Sequence, residues 1–474
     1  MTGTDFICLM PFLILSGAPV AMMLTIAFKR NFTVIYFFSI LAFFLAIISL
    51  FSLPGEVPHR ISSLLIIDGY SILLFGIILF AGLAVAVLSH DFLLYQESEK
   101  EEYLIMLFPA TLGSLLLVAA CNFVTLFLGL EMLSISLYVL IAYRRAKDHA
   151  IEAGIKYLVL AAVSSAFLLF GMGLIFADTG TLEFTRLSFV LRTPFLQQPL
   201  LLAGFAMMFV GMGFKLAAVP FHMWTPDVYQ GAPTPVTIFI ATVSKGAVLA
   251  VVLRFFYAID GFREANFSMV ITLIAFFSMF VGNLLALRQQ NIKRMLAYSS
   301  IANMGYMLTT LLVGDENGFN TAIFYILTYT ITTIGAFGVI LLLSDRHHEA
   351  EQLSDYRGLF WKRPWPALVM TLSMLSLAGI PLTAGFMGKF YIVFTGINNQ
   401  LWILVISLII NSVIGLAYYL RVVSTLFAPA GEHQFPVMPV RGHVVLGLVV
   451  IGILWLGLNP GGIFNLIARI SGLE

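Results

Sequence analysis

Four lysines of this chain, Lys156, Lys215, Lys245 and Lys389, fall inside apolar runs long enough to cross a bilayer, and one acid, Glu131, lies deep within another. A charge at the bilayer centre costs about 2.5–3.5 kcal/mol even on the lenient insertion scale, so such residues are functional by default. The rival reading is structural, with each lysine tying helices together as half of an ion pair. Four lysines against one deep acid allow at most one such pair. Lysine suits proton transfer. Its ordinary pKa is about 10.4, and desolvation works against the ammonium form, so a buried lysine can exchange a proton near neutral pH. A nearby carboxylate favours the ammonium, which makes a Glu–Lys pair of changing separation a switch for proton affinity. Arginine effectively never deprotonates. The buried set holds no deep arginine, as a titrating wire requires and a structural clamp does not.

The local sequences sharpen this reading. Lys215 sits in GMGFKLAAVPFHMW, five residues before Pro220, and Lys389 in GIPLTAGFMGKFY, eight residues after Pro381. The two lysines therefore lie on opposite sides of their prolines. Lys245 is mid-run in IATVSKGAVLA, and Glu131 in LFLGLEMLSIS. Lys156 begins its run and can also be read as a side chain that snorkels to the membrane edge. His222, two residues after Pro220, is a hydrogen-bonded linker or a proton relay. There is no GxGxxG, P-loop or CxxC, and no metal-ligand spacing. Cys8 and Cys121 are far apart and read as apolar thiols with no disulfide framework. Redox chemistry is expected elsewhere.

The elements that must hold these residues are membrane helices. Of 474 residues 60% are hydrophobic and 10% charged, the mean hydropathy is +0.99, and an ordinary soluble domain carries about 25% charged residues. Lipid is the only solvent that accommodates this surface. A net charge of +1 argues against nucleic acid as a partner. The N-terminus lacks a basic stretch and a cleavage site, so its first run is expected to stay as a helix. Apolar windows at 6–28, 32–53, 69–89, 103–120, 122–142, 153–176, 199–221, 236–258, 267–287, 294–313, 319–343, 366–396, 401–424 and 442–468 predict an all-α polytopic protein of about fourteen transmembrane helices.

Giving the connection with Lys29 and Arg30 to the cytoplasm puts fifteen Lys and Arg residues on that side, among them Lys100, Arg144, Arg145, Lys147, Lys293, Arg294, Arg346 and Arg441. Six lie opposite: Arg60, Arg186, Arg192, Arg254, Arg263 and Arg469. This satisfies the positive-inside rule and makes both termini periplasmic. The acidic stretch at 97–102 then reads as a solvated cytoplasmic loop. IKYLVLAAVSS at 155–165 resembles IFYILTYTITT at 323–333, and KLAAVP at 215–220 resembles SLAGIP at 376–381. Five helices separate the copies, so the second enters from the opposite face. Two inverted five-helix repeats, 101–260 and 261–425, are expected between an N-terminal three-helix segment, 1–100, and a C-terminal helix, 426–474. Each repeat contains a proline-broken helix, where freed carbonyls must line a polar cavity.

The runs GFKLAAVPFHMWTPDVYQGAPTPVTIFIATVSK (213–245), NIKRMLAYSSIANMGY (291–306) and MLSLAGIPLTAGFMGKFY (374–391) closely resemble the antiporter-like subunits of respiratory complex I, the bacterial NADH-quinone oxidoreductase. The resemblance covers essentially the whole chain. It is strongest to the branch with a lysine at the position of Lys389. A second branch is expected to carry glutamate there, and a third to extend past the last helix in a long lateral helix, which is not expected here. The resemblance implies an inner-membrane subunit of a redox-driven proton pump. Glu131 and Lys215 would be the modulating pair, Lys245 the central relay and Lys389 the exit-side lysine. It also implies other membrane subunits of the complex as partners, antiporter-like paralogues among them. NADH, FMN, iron–sulfur clusters and quinone would be handled by partner subunits, with no cofactor in this chain. Asn303 stands where close relatives often carry histidine, so a histidine relay through the tenth helix is not expected. A subunit of a multisubunit cation/proton antiporter shares the signature and is the alternative; a non-transporting scaffold is a third.

Overall fold

The computed structural model describes residues 3–53, 58–94, 100–144, 147–190, 199–261, 265–345, 349–429 and 439–471. Arg145, Arg192, Arg263, Arg346 and residues 97–99 of the acidic stretch lie outside these. Helices occur at all fourteen apolar windows. Among the described residues, twelve helices are long and apolar enough to cross a membrane. The tenth window is the helix Ile292–Leu311, and the twelfth is a pair of half-helices, Pro364–Ala378 and Ala384–Asn398. Besides the helices, a small antiparallel hairpin pairs His59–Ile61 with Leu65–Ile67 just before the helix Gly69–Leu94.

Small residues let the helices approach closely, as they must where lipid supplies no hydrophobic drive. Helices Lys100–Ala119 and Phe123–Ile141 meet at Gly113, where an added Cβ would lie 2.7 Å from the Leu133 nitrogen. Asparagine side chains cap several helix starts. Asn122 accepts from the Val124 amide, and Asn291 from that of Arg294.

Three more windows are divided, one at the break expected near Pro220 and two where the sequence reading left them whole. The helix at 199–221 ends at Leu216, four residues before Pro220, and resumes as Trp224–Gly231. The window 236–258 contains a π-helical turn, Ile240–Ser244, between Thr234–Phe239 and Lys245–Ala258. The last window splits at Asn459 into Val440–Leu458 and a short helix, Pro460–Ser471.

Arg144, Lys147 and Lys293, all assigned to one side, converge on Glu349. Arg254, assigned to the other, is clamped to Asp68 at 2.7 Å and lies 4.9 Å from the Tyr70 ring. Lys293 corrects the sequence reading. It was expected in a solvated loop, yet its side chain is fully buried in the first turn of Ile292–Leu311. Its ammonium donates to the carbonyls of Gln230 and Ala232 at 3.0 and 2.9 Å, at the end of the second half of the broken helix.

Candidate functional site

The two broken helices meet their freed backbone groups differently, the first through Ser278 and the Trp224 indole and the second by presenting its carbonyl end to a lysine. In Pro199–Leu216 the lysine is part of the last turn: Lys215 is the penultimate residue. The chain then turns through Ala217, with φ +59°, and the cis Val219–Pro220 bond. The Val219 amide donates to Ser278 Oγ at 2.9 Å, and the Trp224 indole caps the Phe214 carbonyl at 3.0 Å. In the second break Gly379, with φ +84°, ends Pro364–Ala378, in the left-handed conformation that glycine adopts without a Cβ clash. Lys389 reaches back across the gap and donates to the carbonyls of Leu377 and Ala378 at 2.8 and 3.1 Å. The lysines lie on opposite sides of their prolines in sequence, yet both belong to the negative end of a half-helix dipole.

Lys215 is buried and its ammonium donates to Ser134 Oγ at 2.7 Å. Ser134 is one turn after Glu131 on Phe123–Ile141. Glu131 itself is half-buried and accepts a hydrogen bond from Ser165 of the neighbouring helix Asp148–Thr179. The acid and the serine that holds the lysine thus lie one turn apart on one helix, with Ser134 as the direct partner of the Lys215 ammonium.

Lys245 begins the helix after the π-helical turn and is 1% exposed. Single π turns are a recurrent device at functional sites. The ammonium donates to Ser300 Oγ at 2.8 Å and lies 5.3 Å from the Tyr229 ring centroid. The Tyr329 hydroxyl donates to the same Ser300 Oγ at 2.7 Å. Lys389 lies 5.1 Å from the Tyr306 ring centroid.

Between Lys245 and Lys389 the helix Ile292–Leu311 carries a polar ladder at helical spacing: Ser299 and Ser300, Asn303, Tyr306. The Asn303 side chain accepts from the Tyr325 hydroxyl at 2.7 Å and donates to the Ser299 carbonyl at 2.8 Å. Ser299 bonds to Tyr419, and the Tyr306 hydroxyl accepts from Asn283 at 3.0 Å. Asn303 is therefore fully engaged in a polar seam of hydrogen bonds that joins four helices.

The two candidates left with alternative readings are Lys156 and His222. Lys156 is not a deep lysine. Its side chain is 44% exposed and pairs with Glu152 at 2.8 Å and Asp227 at 2.9 Å, while Asp227 also binds Arg294 at 2.7 Å. Snorkelling to the edge avoids the burial penalty. These groups and His149 line a surface pocket of about 230 Å³. His222 is buried within the first helix break, and its Nδ1 has no partner among the described residues.

Sequence reasoning missed Ser134, Ser165, Ser300 and the tyrosines, none of which carries a charge that marks it within a span. It also missed the buried collar around Glu349. Burial alone would raise the Glu349 pKa, but Lys293, Lys147 and Arg144 outweigh that and hold it well below the usual carboxylate range. Its neighbour Glu351, desolvated and beside Glu349, is shifted up. Among the described residues no group of three His, Cys, Asp or Glu side chains is arranged to hold a metal ion.

Residues 120–415 match the family described as NADH:quinone oxidoreductase/Mrp antiporter, transmembrane. NADH-quinone oxidoreductase subunit N of Methylococcus capsulatus is 44% identical over 99% of this chain and 96% of its own length. Among solved structures, a chain of respiratory complex I from Thermus thermophilus superposes with a TM-score of 0.83 at 32% identity, covering 96% of this chain and 98% of that one. A chain of the Mrp complex from Dietzia sp. DQ12-45-1b superposes with a TM-score of 0.85 at 18% identity, covering 99% and 97%, and is alike in fold.

Proposed function

This chain belongs to the family of antiporter-like membrane subunits shared by NADH:quinone oxidoreductase and the Mrp antiporters, and we propose that it serves where subunit N serves in its relatives, as a proton-translocating subunit of a bacterial inner-membrane NADH-quinone oxidoreductase. Electrons would pass from NADH to quinone through FMN and iron–sulfur clusters in partner subunits. This chain would supply buried groups that take up, hold and release protons. Both termini would face the periplasm, and the two broken helices would be the equivalent members of an inverted repeat.

One observation carries the reading. Two buried cations of this fold, Arg254 and Lys293, are clamped by carboxylates, Asp68 and Glu349. Among the described residues Lys215, Lys245 and Lys389 are not: their ammonium groups rest on Ser134 Oγ, Ser300 Oγ and two backbone carbonyls. A neutral partner holds the geometry without locking in the charge, so the proton can leave. A carboxylate clamp would make its loss costly.

In mechanism, Glu131 favours the ammonium of Lys215 through the Ser134 side of its helix. When the balance between them shifts, Lys215 gives up its proton along the polar groups around the first break, where His222 offers a free ring nitrogen. Lys245 exchanges its proton through Ser300 and Tyr329. The ladder through Asn303 and Tyr306 leads toward Lys389, which releases its proton beside the second break. Asn303 cannot itself take up a proton, so this stretch relies on hydroxyls and water.

The test is proton uptake into vesicles bearing the assembled complex. Uptake that requires both NADH and quinone, and that fails when Lys215, Lys245 and Lys389 are replaced, is the expected result. Sodium exchange without a redox substrate would select the antiporter reading instead. Unchanged uptake in the substituted complex would leave only a scaffold.

A further inference from the structure

A groove of about 860 Å³ runs down the outside of the helix bundle between Phe32–Ser49, Gly69–Leu94, Glu316–Leu343 and Val440–Leu458. Its lining is aliphatic and aromatic except for Thr330 and, at one end, Tyr36 and Arg441. The residues lining it run from Val440 to Val449 on one helix and from Leu73 to Val87 on another, which at 1.5 Å per residue is about 14 and 21 Å. One leaflet of a hydrocarbon core about 30 Å thick accounts for about 15 Å. A partner helix crossing the bilayer would overrun this groove by a third or more of its length, whereas the acyl chains of one lipid match it.

The rim supplies the second argument. Arg441 is exposed, at the first turn of its helix, on the side that also carries Lys29 and Arg30. Its guanidinium lies 5.3 Å from the Tyr36 ring centroid. His90 packs 4.6 Å from the same ring, with its Nδ1 3.1 Å from Asp91. A planar guanidinium held at headgroup depth above an apolar slot suits a phosphate, which it can bind in bidentate fashion.

The floor of the groove reaches toward the relay. Ile77, Ala81 and Thr330 line the groove on one side and, on the other, a small void of about 10 Å³ closed by Thr242, Val243 and Gly246. Those three residues flank Lys245 and its π-helical turn. Thr330 follows Tyr329, whose hydroxyl bonds Ser300. One layer of side chains separates the groove from the Lys245 site.

We propose that this groove is a binding site for one diacyl phospholipid, its phosphate on Arg441 and its chains packed against the back of the helix that carries Tyr329. The chains support the wall behind the π-helical turn. The site stands on the groove and its rim, independently of the relay reading, because lipid occupancy is measured without reference to pumping.

The experiment uses the intact complex in nanodiscs of phosphatidylglycerol and phosphatidylcholine with brominated acyl chains, imaged by electron cryomicroscopy, with retained lipid counted by mass spectrometry. Two-chain density in the groove, with its headgroup at Arg441, is expected. Arg441→Gln should weaken retention about tenfold, the loss of a charge-assisted hydrogen bond. Gly76 lines the groove, and an added Cβ there meets no atom within 4 Å. Gly76→Phe should therefore fill the slot and expel the lipid while the complex assembles. An empty groove, or a partner helix seated in it, would overturn the proposal. So would unchanged retention in Arg441→Gln, a surface substitution that decides the matter even if Gly76→Phe fails to assemble.

Discussion

Replacing Lys245 by arginine separates a proton carrier from a fixed positive charge. The site is 1% exposed, and Ser300 Oγ accepts from the ammonium at 2.8 Å. An arginine there keeps the charge, reaches the same hydroxyl and remains over the Tyr229 ring. What it loses is the ability to release a proton. Ordinary pKa values of about 10.4 for lysine and at least about 12.5 for arginine differ by about two units, or about 3 kcal/mol in the cost of deprotonation. Desolvation by the same site acts on both side chains in the same direction, so this difference survives burial. The deprotonated form is then at least about 100-fold rarer with arginine, and proton transfer through the subunit should slow by a similar factor. Lys245→Met provides the neutral control of similar length and should also fail. The assay is NADH-driven proton uptake in vesicles, at matched subunit content and matched NADH oxidation. Full pumping by Lys245→Arg together with failure of Lys245→Met would mean that the site needs only a positive charge, and the relay at Lys245 would have to be abandoned.

Glu131→Gln keeps a partner for Ser165 but removes the charge near Lys215; pumping should fall several-fold while assembly survives, and wild-type pumping would remove Glu131 from the modulating pair. Asn303→Leu strands the buried Tyr325 hydroxyl at a cost of about 1–3 kcal/mol and should lower the ratio of protons moved to NADH oxidised, whereas Asn303→His restores a partner and should preserve it; an unaltered ratio in the leucine variant refutes a role for this network. Lys293→Met removes the buried ammonium from Glu349, which keeps Arg144 and Lys147, and from Glu351, and should destabilise the subunit by about 1–3 kcal/mol, measured as loss of assembled complex on thermal challenge, with equal stability as the contrary result. The Glu349 carboxyl is held low by Lys293, Lys147 and Arg144, so its contribution is fully present above the ordinary glutamate pKa of about 4.3 and is lost as pH falls below that toward its folded value. Thermal stability of the wild type should drop over this acidic window more steeply than that of Glu349→Gln, and parallel curves would count against the collar.

What the sequence made legible was whatever lipid makes expensive. A charged residue in a twenty-residue apolar run stands out against its surroundings, which is why Glu131, Lys215, Lys245 and Lys389 could be picked out before any coordinates. Proline within such a run breaks a helix for reasons of covalent geometry, and both breaks lie where the prolines indicated, though the first helix stops at Leu216, ahead of Pro220. Hydroxyls are cheap to bury because a helix offers its own carbonyls as partners, so Ser134 and Ser300 carried no warning that each accepts a lysine. The run AYSSIANMGY did hold a usable signal, since four polar side chains at three- to four-residue spacing on one helix face mark a polar seam rather than a lipid face. The positions of Lys156 and Lys293 escape the local pattern for a common reason. Hydropathy windows assign depth from neighbours along the chain, whereas depth is set by neighbours in space. Lys156 lies inside an apolar run but escapes to the edge, where Glu152 and Asp227 meet it. Lys293 lies at the start of one but is sealed off by Gln230, Ala232 and the carboxylates of Glu349 and Glu351, supplied by segments more than fifty residues away. Local pattern can state that a charge is costly; only the tertiary partners state whether that cost is met by a clamp or left open for a proton to come and go.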